Sequence, residues 1–223
     1  MSTALLAMST TGIVLTLVCS VLAAELVGYA LHRLMHNDRL PAMSRAHLIH
    51  HLLLYGPKQP LRTAEYKDAT SGRASIGNVG LEWIIPSGLI LAVWLTVLWL
   101  LHMPPAYRLL SAFTLLTWSG FMFSYLHDRM HIQNFWMERT PVLNWWFRKA
   151  RRLHDIHHRS LDSEGRMDKN FGIGFFFFDR IFRTFAKRHC PFNWHGYRAA
   201  VRRHRLEHLE DDDFTSFPSG FHV

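Results

Sequence analysis

Three stretches of this chain contain no charged residue: 4–24, 83–101 and 109–126. Each is close to the ~20 residues an α-helix needs to cross the hydrocarbon core of a bilayer. In lipid, backbone polar groups must be satisfied within their own segment, so uncharged runs of this length dictate helices. We therefore expect an all-α fold, an integral-membrane bundle of about three to four transmembrane helices. The spans are placed at about 4–36, 83–103 and 107–127 within a single domain, 1–223. The first span begins too neutral and continues too far for a signal peptide.

The distribution of charge orients the bundle. The net charge is +8, and the 25 Lys and Arg residues are not spread evenly. Seven fall in 32–80 and seventeen in 127–223, while Arg108, beside Met103-Pro104-Pro105, is the only other. The positive-inside rule then makes 37–82 and 128–223 cytoplasmic and puts the Pro-Pro turn on the far side. Nucleic acid is the other usual partner of so basic a chain. No recognition module is present, and no nucleic acid is expected. Two cysteines, one in an apolar run and one in a basic segment, provide no disulfide framework.

Against this background the histidines stand out. The chain has 16, and ten form two copies of one pattern, HxxxH followed by HxxHH. The first copy is His32/His36 with His47/His50/His51, and the second is His127/His131 with His154/His157/His158. Chance placement of this many histidines yields about one HxxxH but only about 0.08 HxxHH, so two copies of the longer motif are not accidental. Residues i, i+3 and i+4 share a helix face, so HxxxH offers two imidazoles to one point and HxxHH offers three. Neutral imidazole is the commonest metal ligand. Ten nitrogens exceed what one ion needs, and two ions sharing the four clusters are the simpler account. All four clusters fall on the predicted cytoplasmic side, forming a helical cap with a His-rich di-metal site. His204/His208 form a further HxxxH among Arg and Glu residues, and His102, His189, His195 and His222 stand alone.

Several segments connect these clusters. A connector rich in turn formers joins His51 to Trp83. Residues 134–150 mix Trp and Phe with basic side chains, which suits a membrane interface or an ordinary core helix. Phe175–Phe178 are expected at the interface or in an apolar substrate pocket. The acidic tail around Glu210–Asp213 is expected to be mobile.

The motifs resemble the fatty acid hydroxylase/sterol desaturase superfamily. The resemblance runs from Glu25-x3-Tyr29-x2-His32-Arg33-x2-His36 through HLIHH, His127-Asp128-x2-His131 and His154-Asp155-Ile156-His157-His158 to Asn170-Phe171-Gly172 and Phe178-Asp179-Arg180-Ile181-Phe182-Arg183-Thr184. Members often carry Trp where Phe178 stands and Gly where Arg183 stands. The resemblance implies two Fe ions held by the ten histidines, with O2 as cosubstrate, although a purified sample can also carry Zn. The implied activity is hydroxylation of a lipid (fatty acyl, sterol or related) at an unactivated C–H bond. Desaturation and carotenoid hydroxylation are alternatives within the superfamily. A membrane metal carrier or sensor is the alternative from a different class. Implied partners are the lipid substrate, the bilayer and an external electron donor, cytochrome b5-like or ferredoxin/reductase. The membrane would be the inner membrane in a bacterium or the endoplasmic reticulum in a eukaryote. Metal-bound imidazoles need orienting groups on their other nitrogen, and Asp128, Asp155, Asn170 and Asp179 are candidates. Glu25, two turns before His32 and at membrane depth, is a candidate for the site, its access channel or a structural pair.

Overall fold

A computed structural model of the chain describes residues 8–37, 39–40, 44, 47–57, 61–65, 75–76, 79–80, 84–188 and 190–206. These are helical apart from loops and a two-residue antiparallel hairpin, β1 (Ser75–Ile76) and β2 (Val79–Gly80), with Ser75 opposite Gly80. The domain expected from the sequence comprises two compact units, the described residues of 1–27 with 74–125 and of 28–73 with 126–223. Residues 4–7, Trp83, most of the 58–82 connector, His189, His208, the tail with Glu210–Asp213, and His222 lie outside the described residues.

The first unit is apolar. Helix α1 (Thr10–Met35) enters it through Val27, and helices α2 (Ile84–Leu100) and α3 (Pro105–Ser119) pack against each other. Hydroxyls in α1 bond back to the preceding turn, Thr16 Oγ1 to Gly12 O at 2.7 Å and Ser20 Oγ to Thr16 O at 2.6 Å. Ser20 Oγ also lies 2.7 Å from Ser111 Oγ, which accepts from Trp94 Nε1 at 2.9 Å. This one polar knot joins all three helices, as hydroxyls do where lipid offers no competing partner. Leu15, Val18, Leu89, Val93, Leu109 and Phe113 all face outward. Surfaces of that composition are stable against hydrocarbon, not water.

Helix ends differ from the predicted spans for local reasons. Residues Thr10–Met35 and Pro105–Arg129 are long and apolar enough to cross a membrane, whereas the helix between them is shorter. α2 stops at Leu100, because His102 takes a left-handed φ of 55° before Pro104 ends the turn. Its 17 residues rise about 25 Å, less than the ~30 Å core. α3 starts with Pro105 in its first turn, where the missing N–H costs nothing. It continues as a π-helix over Gly120–Leu126 and closes with the α-turn His127–Arg129.

The second unit carries the histidines. Residues 47–49 are helical and run into a π-turn, His50–Leu54, closed by Tyr55 N–H donating to His50 O at 3.0 Å. A short 3-10 turn (Trp136–Glu138) packs on α4 (Pro141–Arg159). α5 (Phe177–Ile181) and α6 (Trp194–Arg203) follow. α4 is strongly amphipathic and buries Phe147, Ala150, Leu153, His154, Ile156, His157 and His158. The apolar core gathers Leu48, Leu52 and Leu53 from the π-turn region with Leu161, Met167, Tyr197 and Val201. Within 134–150, Trp136, Val142 and Trp145 are exposed while Phe147 is fully buried. The four phenylalanines divide too, Phe175 and Phe177 facing out and Phe176 in.

Candidate metal centre

The ten clustered histidines converge into two groups of five. His32, His36, His47, His51 and His157 form one, and His50, His127, His131, His154 and His158 form the other. In each, one ring nitrogen per residue lies within 4.8 Å of all the others. The groups adjoin, with the His51 and His158 rings 3.8 Å apart between centroids. The HxxHH motifs are divided, which corrects the expectation that each presents three imidazoles to one point. The i, i+4 pair stays together in each (His47/His51 and His154/His158), while His50 and His157 cross to the other group. The reason is angular. On a regular helix i+3 and i+4 sit about 60° and 40° to opposite sides of i, so one face serves two neighbouring points. At the first motif the π-turn beginning at His50 alters that spacing further.

Nine of the ten are buried and His127 is half-buried. Burial disfavours the imidazolium, and the neighbouring histidines add mutual repulsion. Both effects hold His36, His47, His51, His154, His157 and His158 well below the usual imidazole pKa. The rings are therefore neutral, each with one N–H and one lone pair.

Backbone carbonyls decide which nitrogen carries the proton. His32 Nδ1 lies 2.7 Å from Phe171 O, and His157 Nδ1 lies 2.6 Å from Lys169 O. A carbonyl only accepts, so both Nδ1 atoms are donors and both Nε2 atoms are bare lone pairs. His32 Nε2 is buried without a hydrogen-bond partner. In the same group Nε2–Nε2 separations are 3.1 Å for His36–His157, 3.1 Å for His36–His47 and 3.0 Å for His47–His51. The other group has 3.0 Å for His131–His154 and 3.1 Å for His154–His158. Hydrogen bonding among imidazoles does not account for this convergence. An N–H points along one line, so His36 Nε2 cannot bond both His157 and His47. Nitrogen donors converging on a common centre suit a cation.

One short loop sets both of those carbonyls. Asn170 takes a left-handed φ of 55°, which Asn tolerates better than most residues, and so both Lys169 O and Phe171 O reach imidazoles. Its fully buried side chain donates to Leu153 O at 3.0 Å and Ala186 O at 2.9 Å, and accepts from Ala186 N–H at 2.8 Å. Asp179 also works on the loop backbone. Its oxygens accept from Phe171 N–H at 2.7 Å, Gly172 N–H at 2.8 Å and Thr184 Oγ1 at 2.7 Å. A Cβ on Gly172 would stand 2.8 Å from Asp179 Oδ2 and 2.6 Å from Phe175 O, so only glycine permits this approach. Arg183 holds φ at 60°, the left-handed geometry natural to the glycine common at this position in the resembled superfamily. Thus the hydrogen bonds of Asn170 and Asp179 go to the backbone of this loop and its neighbours, not to the imidazoles. Replacing Asn170 by alanine should lower stability by about 2–4 kcal/mol, measured by thermal or denaturant unfolding, since it removes three hydrogen bonds of a fully buried side chain.

The remaining candidates are placed as follows. Asp128 and Asp155 are half-buried on the elements that carry His127/His131 and His154/His157/His158. Glu25 is buried in the first unit and accepts a 2.7 Å hydrogen bond from Trp118 Nε1, a structural pair. His204 lies close enough to His36 to act on it electrostatically, so it is less detached than its sequence setting indicates. Sequence reasoning did not single out Tyr55, whose ring stacks on His131 at 4.1 Å and meets His50 edge-on at 4.9 Å. Nor did it find the carbonyls of Lys169 and Phe171. Their only signal was the Asn-Phe-Gly motif.

The apolar helices and the paired imidazole groups define a helical membrane protein with a site built to hold metal. The sequence model of the fatty acid hydroxylase family matches residues 17–184, most of the chain and all ten histidines, and the chain belongs to that family. Comparison with curated proteins and with solved structures yields no match. Family and site together make it an oxidoreductase of the hydroxylase kind in a membrane.

Proposed function

We propose that the chain is a di-iron lipid oxygenase that hydroxylates an unactivated C–H bond on the cytoplasmic side of its membrane. The reading rests above all on one observation: ten imidazoles converge in two groups of five, and in His32 and His157 a carbonyl holds Nδ1 so that Nε2 is a free lone pair. Each group of five imidazoles would hold one ion, a nitrogen donor set that suits iron.

What two such ions supply when bound is two-electron activation of O2 for attack on a C–H bond. The balance is R–H + O2 + 2e⁻ + 2H⁺ → R–OH + H2O, with electrons from an external donor, cytochrome b5-like or ferredoxin-linked. The protein's own residues keep the ligands neutral and oriented and keep water out. Leu126, Met130, Ile156 and Phe171, all buried, provide the apolar surroundings. Asp128 and Asp155, each next in sequence to a clustered histidine, would offset the charge of an all-imidazole centre. The lipid reaches the site from the bilayer, and hydroxylation is favoured over desaturation on family grounds.

Membranes expressing the chain under 18O2 should contain a lipid heavier by one labelled oxygen. Absence of any labelled or dehydrogenated lipid, with an electron donor supplied, would contradict the oxygenase reading.

A further inference from the structure

The imidazole of His32 is linked to a buried carboxylate through a single peptide unit. His32 Nδ1–H donates to Phe171 O at 2.7 Å. The other end of that peptide is the Gly172 N–H, which donates to Asp179 Oδ2 at 2.8 Å. In a trans peptide the C=O and N–H point in opposite directions and are conjugated through the C–N bond. A negative charge at the N–H end draws electron density toward the carbonyl oxygen and makes it a stronger acceptor. Asp179 is fully buried and accepts from three donors, Phe171 N–H, Gly172 N–H and Thr184 Oγ1. Burial pushes the Asp179 carboxyl pKa up, and the three donors aimed at its two oxygens oppose that shift by favouring the ionised form. Tyr29 extends the network, its hydroxyl 3.2 Å from Thr184 Oγ1, one turn before His32 on α1.

We propose that Asp179 is a positioning residue that acts on His32 through the Phe171–Gly172 peptide, strengthening His32 Nε2 as a metal ligand while fixing its direction. The arrangement does the work of a carboxylate hydrogen-bonded directly to a ligating histidine, with an amide interposed. It accounts for three features at once: a fully buried carboxylate, a glycine that admits its oxygen, and a bare Nε2 on the ring at the far end. It acts on only one of the two groups, because His32 belongs to only one. The inference rests on the metal-centre reading above.

The test is Co2+ binding to the metal-free, detergent-purified full chain. It is followed by ligand-field absorption and calorimetry, with the apo melting temperature measured in parallel. The native chain should bind two equivalents. Asp179→Asn, nearly isosteric but uncharged, should weaken one equivalent about 10- to 100-fold, as loss of a group orienting a ligand does, and leave the other within about threefold. Its ligand-field bands should change for the weakened ion alone. Thr184→Val removes a hydrogen bond from the opposite oxygen and leaves the Gly172 limb intact, so both equivalents should stay within about threefold of native. Equal affinities in Asp179→Asn and native would overturn the inference. So would equal weakening of both ions, or a Thr184→Val effect as large as that of Asp179→Asn, because these mark a merely structural loop. A native chain that binds no Co2+ would instead remove the metal-centre reading, and this inference with it.

Discussion

Alanine in place of His157 abolishes lipid oxygenation, with product falling at least ~100-fold in extracts of expressing membranes, beyond the usual loss when a ligand is merely misoriented. His157 is the crossing member of its motif: it rises from α4 beside His154 and His158 but joins the group led by His32. Its Nδ1 is held by Lys169 O, and its Nε2 faces His36 Nε2. Removing it opens one group from five ligands to four and frees a carbonyl on the Asn170 loop. The purified variant should retain the ion of the other group and lose most of the first. Unchanged product with His157→Ala would mean that these imidazoles do not hold the reacting centre.

Mild acid dismantles the metal-free protein. The six imidazoles named above have folded pKa values well below their unfolded values, so between those values the unfolded chain binds more protons. Stability therefore rises with pH through this window and is lost as pH falls below about 6.5. Protonating any of the six in the folded state requires charging a buried ring among its neighbours, so the loss is borne by the whole cluster. Thermal melts of the apo protein should shift steeply downward from pH 7.5 to 5.5, whereas bound metal, which also needs neutral imidazole, should delay the loss. A melting temperature flat across that range would show that the rings are not buried and neutral.

The parts of this architecture governed by local rules were legible in the sequence. Uncharged runs marked α1, α2 and α3, and the repeated motif marked all ten imidazoles. Helix ends were less legible, because His102 terminates its helix through a left-handed φ, for which histidine has only a weak preference. The division of each HxxHH between two points was also hidden. Spacing fixes where side chains stand around one helix, but where the neighbouring elements place their own nitrogens decides which point each serves. The π-turn at His50–Leu54 added an offset with no signature of its own. Asn170 and Asp179 were candidates from the downstream motif, and their hydrogen bonds go to the backbone around the carbonyls of Lys169 and Phe171. Backbone groups carry no letter in a sequence; only Gly172, the glycine that lets a carboxylate approach, hinted at them.

Two all-imidazole groups should hold two ions per chain. Elemental analysis of the purified full chain, reconstituted with ferrous iron without oxygen and freed of excess metal, measures this directly. The account predicts two iron atoms per chain, falling toward one when His157 is replaced by alanine. One iron per chain, or none retained in the native protein, would contradict it.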